Sequence, residues 1–155
     1  MADPTLTRVW DSLFTALEGI QSVDGYHTSV QTVTRDLVSI ATLPAPRVPA
    51  LLILHDGETS TRQYRLGGVV EDTLAFVIEG RIDAPGLTAG DKAHAYADLL
   101  ADIERAVTRD VTRGGAANWT AVRGVRGPYL GLDASGVVLF QVRIEVISIR
   151  TVGES

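Results

Sequence analysis

The sequence contains no cysteine in 155 residues. Disulfide frameworks, thiol catalysis and cysteine-ligated zinc are therefore excluded together, and the absence fits a reducing compartment. Long apolar runs are missing too, since nothing approaches the roughly 18 uninterrupted apolar residues of a membrane span. The opening Met1-Ala2-Asp3-Pro4 lacks the basic start and apolar core of a signal peptide. The expectation is a protein made and used in the cytoplasm, with no membrane partner. Positive charge is scarce, with 14 Lys and Arg against 19 Asp and Glu, and a net charge of −5 argues against broad coating of nucleic acid. Arg113, Arg123 and Arg126 lie close together in sequence and suggest a local basic patch.

What is present is ordinary for a folded domain: 45% hydrophobic and 21% charged residues. The length suits one domain that buries its own core. Internal repeats, low-complexity tracts and domain linkers are lacking, so residues 1–155 read as one unit.

The first clear element is a helix. Leu6, Val9, Trp10, Leu13, Phe14, Leu17 and Ile20 recur at three- and four-residue steps and make one apolar stripe. Asp3-Pro4 supplies its start, and Gly19 or Gly25 its stop. Residues 28–40, rich in Val and Thr, predict a strand. The prolines of "LPAPRVP", residues 43–49, make an extended connector, and residues 51–55 read as a short buried strand. "HDGETSTRQ" carries turn chemistry, with Asp56-Gly57 as the reversal.

Residues 69–83 alternate, with Leu74, Phe76, Ile78 and Ile82 on one face and Thr73, Glu79, Arg81 and Asp83 on the other. Such a run spans roughly 45 Å, long enough for part of it to project beyond a core as a ribbon. "APGLTAGD" leads into a second helix with the stripe Tyr96, Leu99, Leu100, Ile103 and Val107, while Asp98, Arg105 and Thr108 face away.

Residues 119–125 read as a strand, "GPYLGLDASG" as a long reversal and residues 137–150 as a final strand. In that last run Val138, Phe140, Val142, Ile144 and Val146 share a face. The apolar phase then flips, with Ile147 and Ile149 where polar residues are expected. A bulge or a second covered surface, such as a subunit contact, would account for the flip. Val146, Ile147 and Ile149 are thus interface candidates. The order α-β-β-β-α-β-β predicts an α+β domain, with a mostly antiparallel or mixed sheet and two amphipathic helices packed on it.

Chemistry is hard to find. His27, His55 and His94 form no metal-ligand motif. Asp91, His94 and Asp98 share one side of a helix, a spacing that suits a carboxylate–imidazole site and equally an ordinary solvated face. His55, Asp56 and Glu58 cluster at a strand end without an evident partner or pocket. No serine stands in a G-x-S-x-G elbow; Ser12, Ser22, Ser39 and Ser60 read as helix, cap and turn residues. "RLGGVV" and "TRGGAA" lack the nucleotide-binding glycine patterns. The second pair also follows a helix, whereas phosphate cradles precede one. No catalytic residue, cofactor or metal is expected.

The element order, together with the "VWDSLFTALEGI" and "LLADIERAVTRDVTRGG" helices, resembles the tail terminator proteins of long-tailed bacteriophages. These are also called tail-completion or minor tail proteins. Members pass from a helix through an Asp-x-Thr-x-Gly-Gly turn into a strand. That turn here is Asp110, Thr112, Gly114 and Gly115, and "VVLFQVRIEVISIR" resembles their closing strand. The resemblance covers nearly the whole chain through short motifs.

It implies a structural virion protein of the tail or neck, made in the host cytoplasm. The expected partners are five further copies in a hexameric ring, the tail tube protein and a head-completion or connector protein. DNA would pass through the ring without sequence-specific binding. Six subunits at −5 carry −30, so that passage is either repulsive or locally lined with arginine. A different head–tail connector or neck protein is the nearest alternative. A small α+β enzyme or ligand-binding domain is a further one, with His55 or His94 as its place to look.

Overall fold

The computed structural model describes residues 4–36, 40–44, 47–83, 89–130 and 136–152. Two helices, α1 (Pro4–Glu18) and α2 (Ala89–Thr108), accompany six strands: β1 (Thr32–Thr34), β2 (Ala50–His55), β3 (Thr61–Arg65), β4 (Val69–Asp83), β5 (Trp119–Leu130) and β6 (Val137–Thr151). The expected α+β fold is what the structure shows. The sheet runs β1-β2-β4-β6-β5, with β3 also paired to β4. It is mixed, because β1 lies parallel to β2 while the other pairings are antiparallel.

Both helices cover the same face. Val9, Leu13 and Leu17 of α1 and Leu99, Ile103 and Val107 of α2 are fully buried against Ile53, Phe76, Ile78, Val142, Ile144 and Val146. Each such side chain contributes about 1.5–3 kcal/mol of burial. Trp10 adds a hydrogen bond from its indole N–H to the Ile53 carbonyl, 3.3 Å away. Asp102 is the polar anchor on α2. Its carboxylate is buried and accepts the backbone N–H groups of His27 and Thr28 at 3.0 and 2.7 Å. This ties the loop after α1 to the second helix, because a buried carboxylate needs such donors.

Several expectations need correction. Among the described residues of the predicted 28–40 strand, Thr32–Thr34 alone pairs as a strand and Ile40 opens a 3-10 turn, Ile40–Thr42, while residues 37–39 lie outside the described residues. β-propensity in Val and Thr there exceeds what the short neighbouring pairing uses. β3 lies inside and just beyond the stretch read as turn; all five of its residues are exposed, so no apolar alternation marks it. β5 continues through Gly127 and Pro128 to Leu130, where a reversal was expected. As an edge strand it tolerates proline, and its register shifts twice against β6, between Val122 and Gly124 and between Arg126 and Tyr129. Residues 131–135 of that reversal, residues 84–88 of "APGLTAGD", Asp3 and Ser39 lie outside the described residues.

β6 carries no bulge against β4. Its pairing is continuous from Val69↔Thr151 to Asp83↔Val137. The alternation does not flip either; a buried Ser148 takes the helix-side position that an apolar residue would fill. Its hydroxyl donates to the Ala116 carbonyl at 3.3 Å. Ile147 and Ile149 consequently face the side away from α1 and α2.

Candidate functional site

Among the described residues, the sheet face opposite α1 and α2 is open at its β5–β6 edge. Trp119 pairs with Ile147, and directly opposed residues of an antiparallel pair share a face. Ile149 lies two residues further along β6 on that same face. Trp119 is 50% exposed and Ile149 47%, so an indole and an isoleucine meet solvent on the same face. Asn118 fixes the corner, with its side-chain oxygen accepting the Ile149 N–H at 2.7 Å and its own N–H donating to the Ile147 carbonyl at 2.8 Å. Val146 lies elsewhere. It is fully buried under the helices and is core, not surface. Sequence reading missed Trp119 here because only cross-strand register brings it beside Ile147.

Further along this face the charges pair. Arg123 bridges Glu145 at 3.0 Å and Arg143 approaches Asp56 at 3.6 Å. Arg113 leaves the expected basic patch altogether. It is buried, and its guanidinium donates to the carbonyls of Val107 (2.5 Å) and Asp110. Burial lowers its pKa, an effect opposed by nearby Asp110. The patch is reduced to Arg123 and Arg126.

The turn after α2 holds the Trp119 corner in place. Asp110 accepts the Thr112 hydroxyl at 2.7 Å, the Thr112 N–H at 3.0 Å and the Gly114 N–H at 2.7 Å. Arg113, Gly114 and Gly115 are successively left-handed, with φ of 50°, 65° and 88°. The reversed chain then meets the sheet, where the Thr120 hydroxyl donates to the Val111 carbonyl at 2.9 Å. A Cβ at Gly114 would touch nothing within 4 Å, so its requirement is conformational alone. Gly114→Val should accordingly cost about 1–3 kcal/mol in thermal melting. Gly114→Asn should recover most of that, because asparagine tolerates the left-handed region. Equal melting of the two variants would contradict this assignment.

Hydrogen bonds from the Thr112 hydroxyl and then the Gly114 N–H hold the Asp110 carboxyl below the ordinary carboxylate range. A depressed folded-state pKa stabilises at pH above the unfolded value, and the stabilisation is lost as pH falls through the folded value. The turn should therefore loosen only in acid, and Asp110→Asn should flatten that acid dependence.

His55, Asp56 and Glu58 are tied into the turn after β2 and the packing beside it. Asp56 caps its own turn, accepting the Thr59 hydroxyl at 2.7 Å and the N–H groups of Glu58 and Thr59. His55 Nε2 lies 3.1 Å from the Ser60 hydroxyl, which suggests a nucleophile and base. The Ser60 proton, however, is donated to the Asp56 carbonyl at 2.8 Å, while its oxygen accepts the Ala75 N–H at 3.0 Å. His55 must then be the donor to Ser60, the reverse of a general base. Its ring also packs against Trp10 and Phe76 at 6.2 and 5.5 Å. His55→Ala should therefore cost about 1–3 kcal/mol in stability through the lost bond and packing, and leave assembly unchanged. A variant that melts like wild type but fails in assembly or activity would restore a functional role.

His94 and Asp98 are exposed on α2 beside Asp91, and His27 is exposed far from them in sequence. Among the described residues no three His, Asp or Glu side chains converge as metal ligands, and no described helix is long and apolar enough to cross a membrane. Scanned against models of protein families and against curated proteins, the chain matches none at a significant level.

Proposed function

We propose that this chain is a structural virion protein that works like a tail terminator, forming a ring that caps the tail tube, stops its polymerisation and joins tail to head. The observation that carries this reading is the one-sided sheet. Helices bury one face, while the other presents Trp119, Ile147 and Ile149 together at the edge of a 15-residue strand. Adjacent exposed aromatic and aliphatic side chains on a sheet face suit a protein contact. The Asp110–Gly115 turn fits the structural role that the family resemblance gives it, since it sets where β5 enters the sheet. In this reading the five other copies, the tube protein and the connector supply what covers the open face, and DNA passes without base contacts. A capping assay tests it. Purified protein added to elongating tail tubes should bind their ends and halt growth, whereas tubes that lengthen unhindered at saturating protein would contradict the proposal.

A further inference from the structure

At the end of the sheet opposite its proline-bearing connectors, β3, the start of β4 and the end of β6 run side by side. β3 and the first part of β4 form a hairpin closed by Leu66, Gly67 and Gly68, both glycines having positive φ. Leu66 at the tip is 100% exposed and Tyr64 beside it 74%. The hairpin is braced rather than loose. Asp72, buried at its base, takes a bidentate pair from Arg62 of β3 (2.5 and 3.1 Å) and lies 3.6 Å from Arg150 of β6. The tip is therefore apolar and exposed on a braced arm.

A socket exists on the same chain. The 3-10 turn Ile40–Thr42 is pinned above the open face by Arg81, whose guanidinium donates to the carbonyls of Ile40 and Leu43 at 2.8 Å each while pairing with Asp83. Between that turn and Tyr129 of β5 lies a cleft of about 250 Å³, lined by Ile40, Ala41, Leu139 and Tyr129 with Glu79 and Gln141. That is on the order of eight waters' share of liquid volume, room for one large side chain.

The two features cannot meet within one chain. Val69, at the hairpin's end, and Gly80, at the cleft, are eleven residues apart on one continuous strand, roughly 36 Å at 3.3 Å per residue.

We propose that the Leu66 tip of one copy seats in the Ile40–Ala41–Tyr129 cleft of a second copy. The proposal rests on the assembly reading above and names the surfaces that neighbouring subunits use. Charge favours the pairing as well as apolar match. Arg65 flanks the tip, paired to Glu71 with its side chain 59% exposed. Glu79 in the cleft accepts the Gln141 amide at 3.3 Å and has no cationic partner among the described residues. Tip and cleft are different surfaces, so the contact is head-to-tail, the kind that closes into a ring when the rotation allows. Its two halves at opposite ends of the sheet leave every copy with one tip given and one cleft filled.

The cysteine-free sequence makes the test clean. Leu66→Cys and Ala41→Cys, both at exposed positions, are prepared as single variants, one of them isotopically heavy, and checked for wild-type melting. Mixed at concentrations where wild type assembles and treated with a short bis-maleimide, they should give a 66-to-41 cross-link at least ten-fold above 66-to-66 and 41-to-41. The double variant should give a ladder of covalent oligomers, and Leu66→Asp should weaken association at least ten-fold without lowering the melting temperature. If wild type assembles but no 66-to-41 link forms and Leu66→Asp associates normally, the tip-in-cleft contact is wrong while the assembly reading stands. If wild type assembles neither alone nor on tail tubes, both fall.

Discussion

Gly80→Val will cost on the order of 3 kcal/mol, the upper end for overpacking a core, and lower the melting temperature by roughly 6–12 °C. A Cβ built at Gly80 would lie 2.1 Å from Phe140 Cζ and 2.4 and 2.5 Å from two further ring carbons. The ring cannot swing aside cheaply. It is 1% exposed, and Tyr96 of α2 stands edge-on against it with centroids 5.4 Å apart. Glycine in the middle of a long strand is normally a liability, and here it is the space into which β6 places its largest side chain. Phe140→Ala alone should cost about 3–5 kcal/mol by leaving a cavity. The double variant should cost less than the two singles together, because the valine then has somewhere to go. Additive losses, or a Gly80→Val protein that melts like wild type, would show that the close approach is not there.

Trp119→Asp and Ile149→Asp should do the opposite, sparing the fold and abolishing assembly. Both side chains are about half exposed on the face away from α1 and α2, so each change should alter stability by about 1 kcal/mol or less. A buried tryptophan at the centre of a contact is worth on the order of 2 kcal/mol or more, which is roughly 30-fold in association. Sedimentation of the variants beside wild type, with a melting curve for each, separates the two effects. Variants that assemble as wild type does would remove this corner from the interface. Variants that unfold would mean that Trp119 belongs to the core.

Much of the fold was legible because its burial is periodic. The stripes of α1 and α2 and the alternations of β4 and β6 each present one apolar face to one core, and the burial along these elements follows them. What failed lacked such a face. β3 is exposed on both sides and exists because β4 offers it a partner, information carried by register rather than by its own five residues. Residues 28–36 have strand composition, yet among them only Thr32–Thr34 pair with β2.

The candidate surface was half visible. Ile147 and Ile149 stood out as apolar residues in polar positions, but Ser148 taking a core place through its bond to Ala116 was not foreseeable without the turn folded beneath it. Nor could the sequence join Trp119 to Ile147, or the Leu66 tip to a cleft roughly 36 Å or more away along β4.

The measurement that bears most directly on the assembly role is the mass of the native protein, taken by native mass spectrometry across a concentration series and again with purified tail tubes present. The proposed ring predicts a species near six times 16.6 kDa at high concentration or on tube ends, lost in Trp119→Asp. A protein that remains at 16.6 kDa at every concentration, and leaves tail tubes unbound, would contradict it.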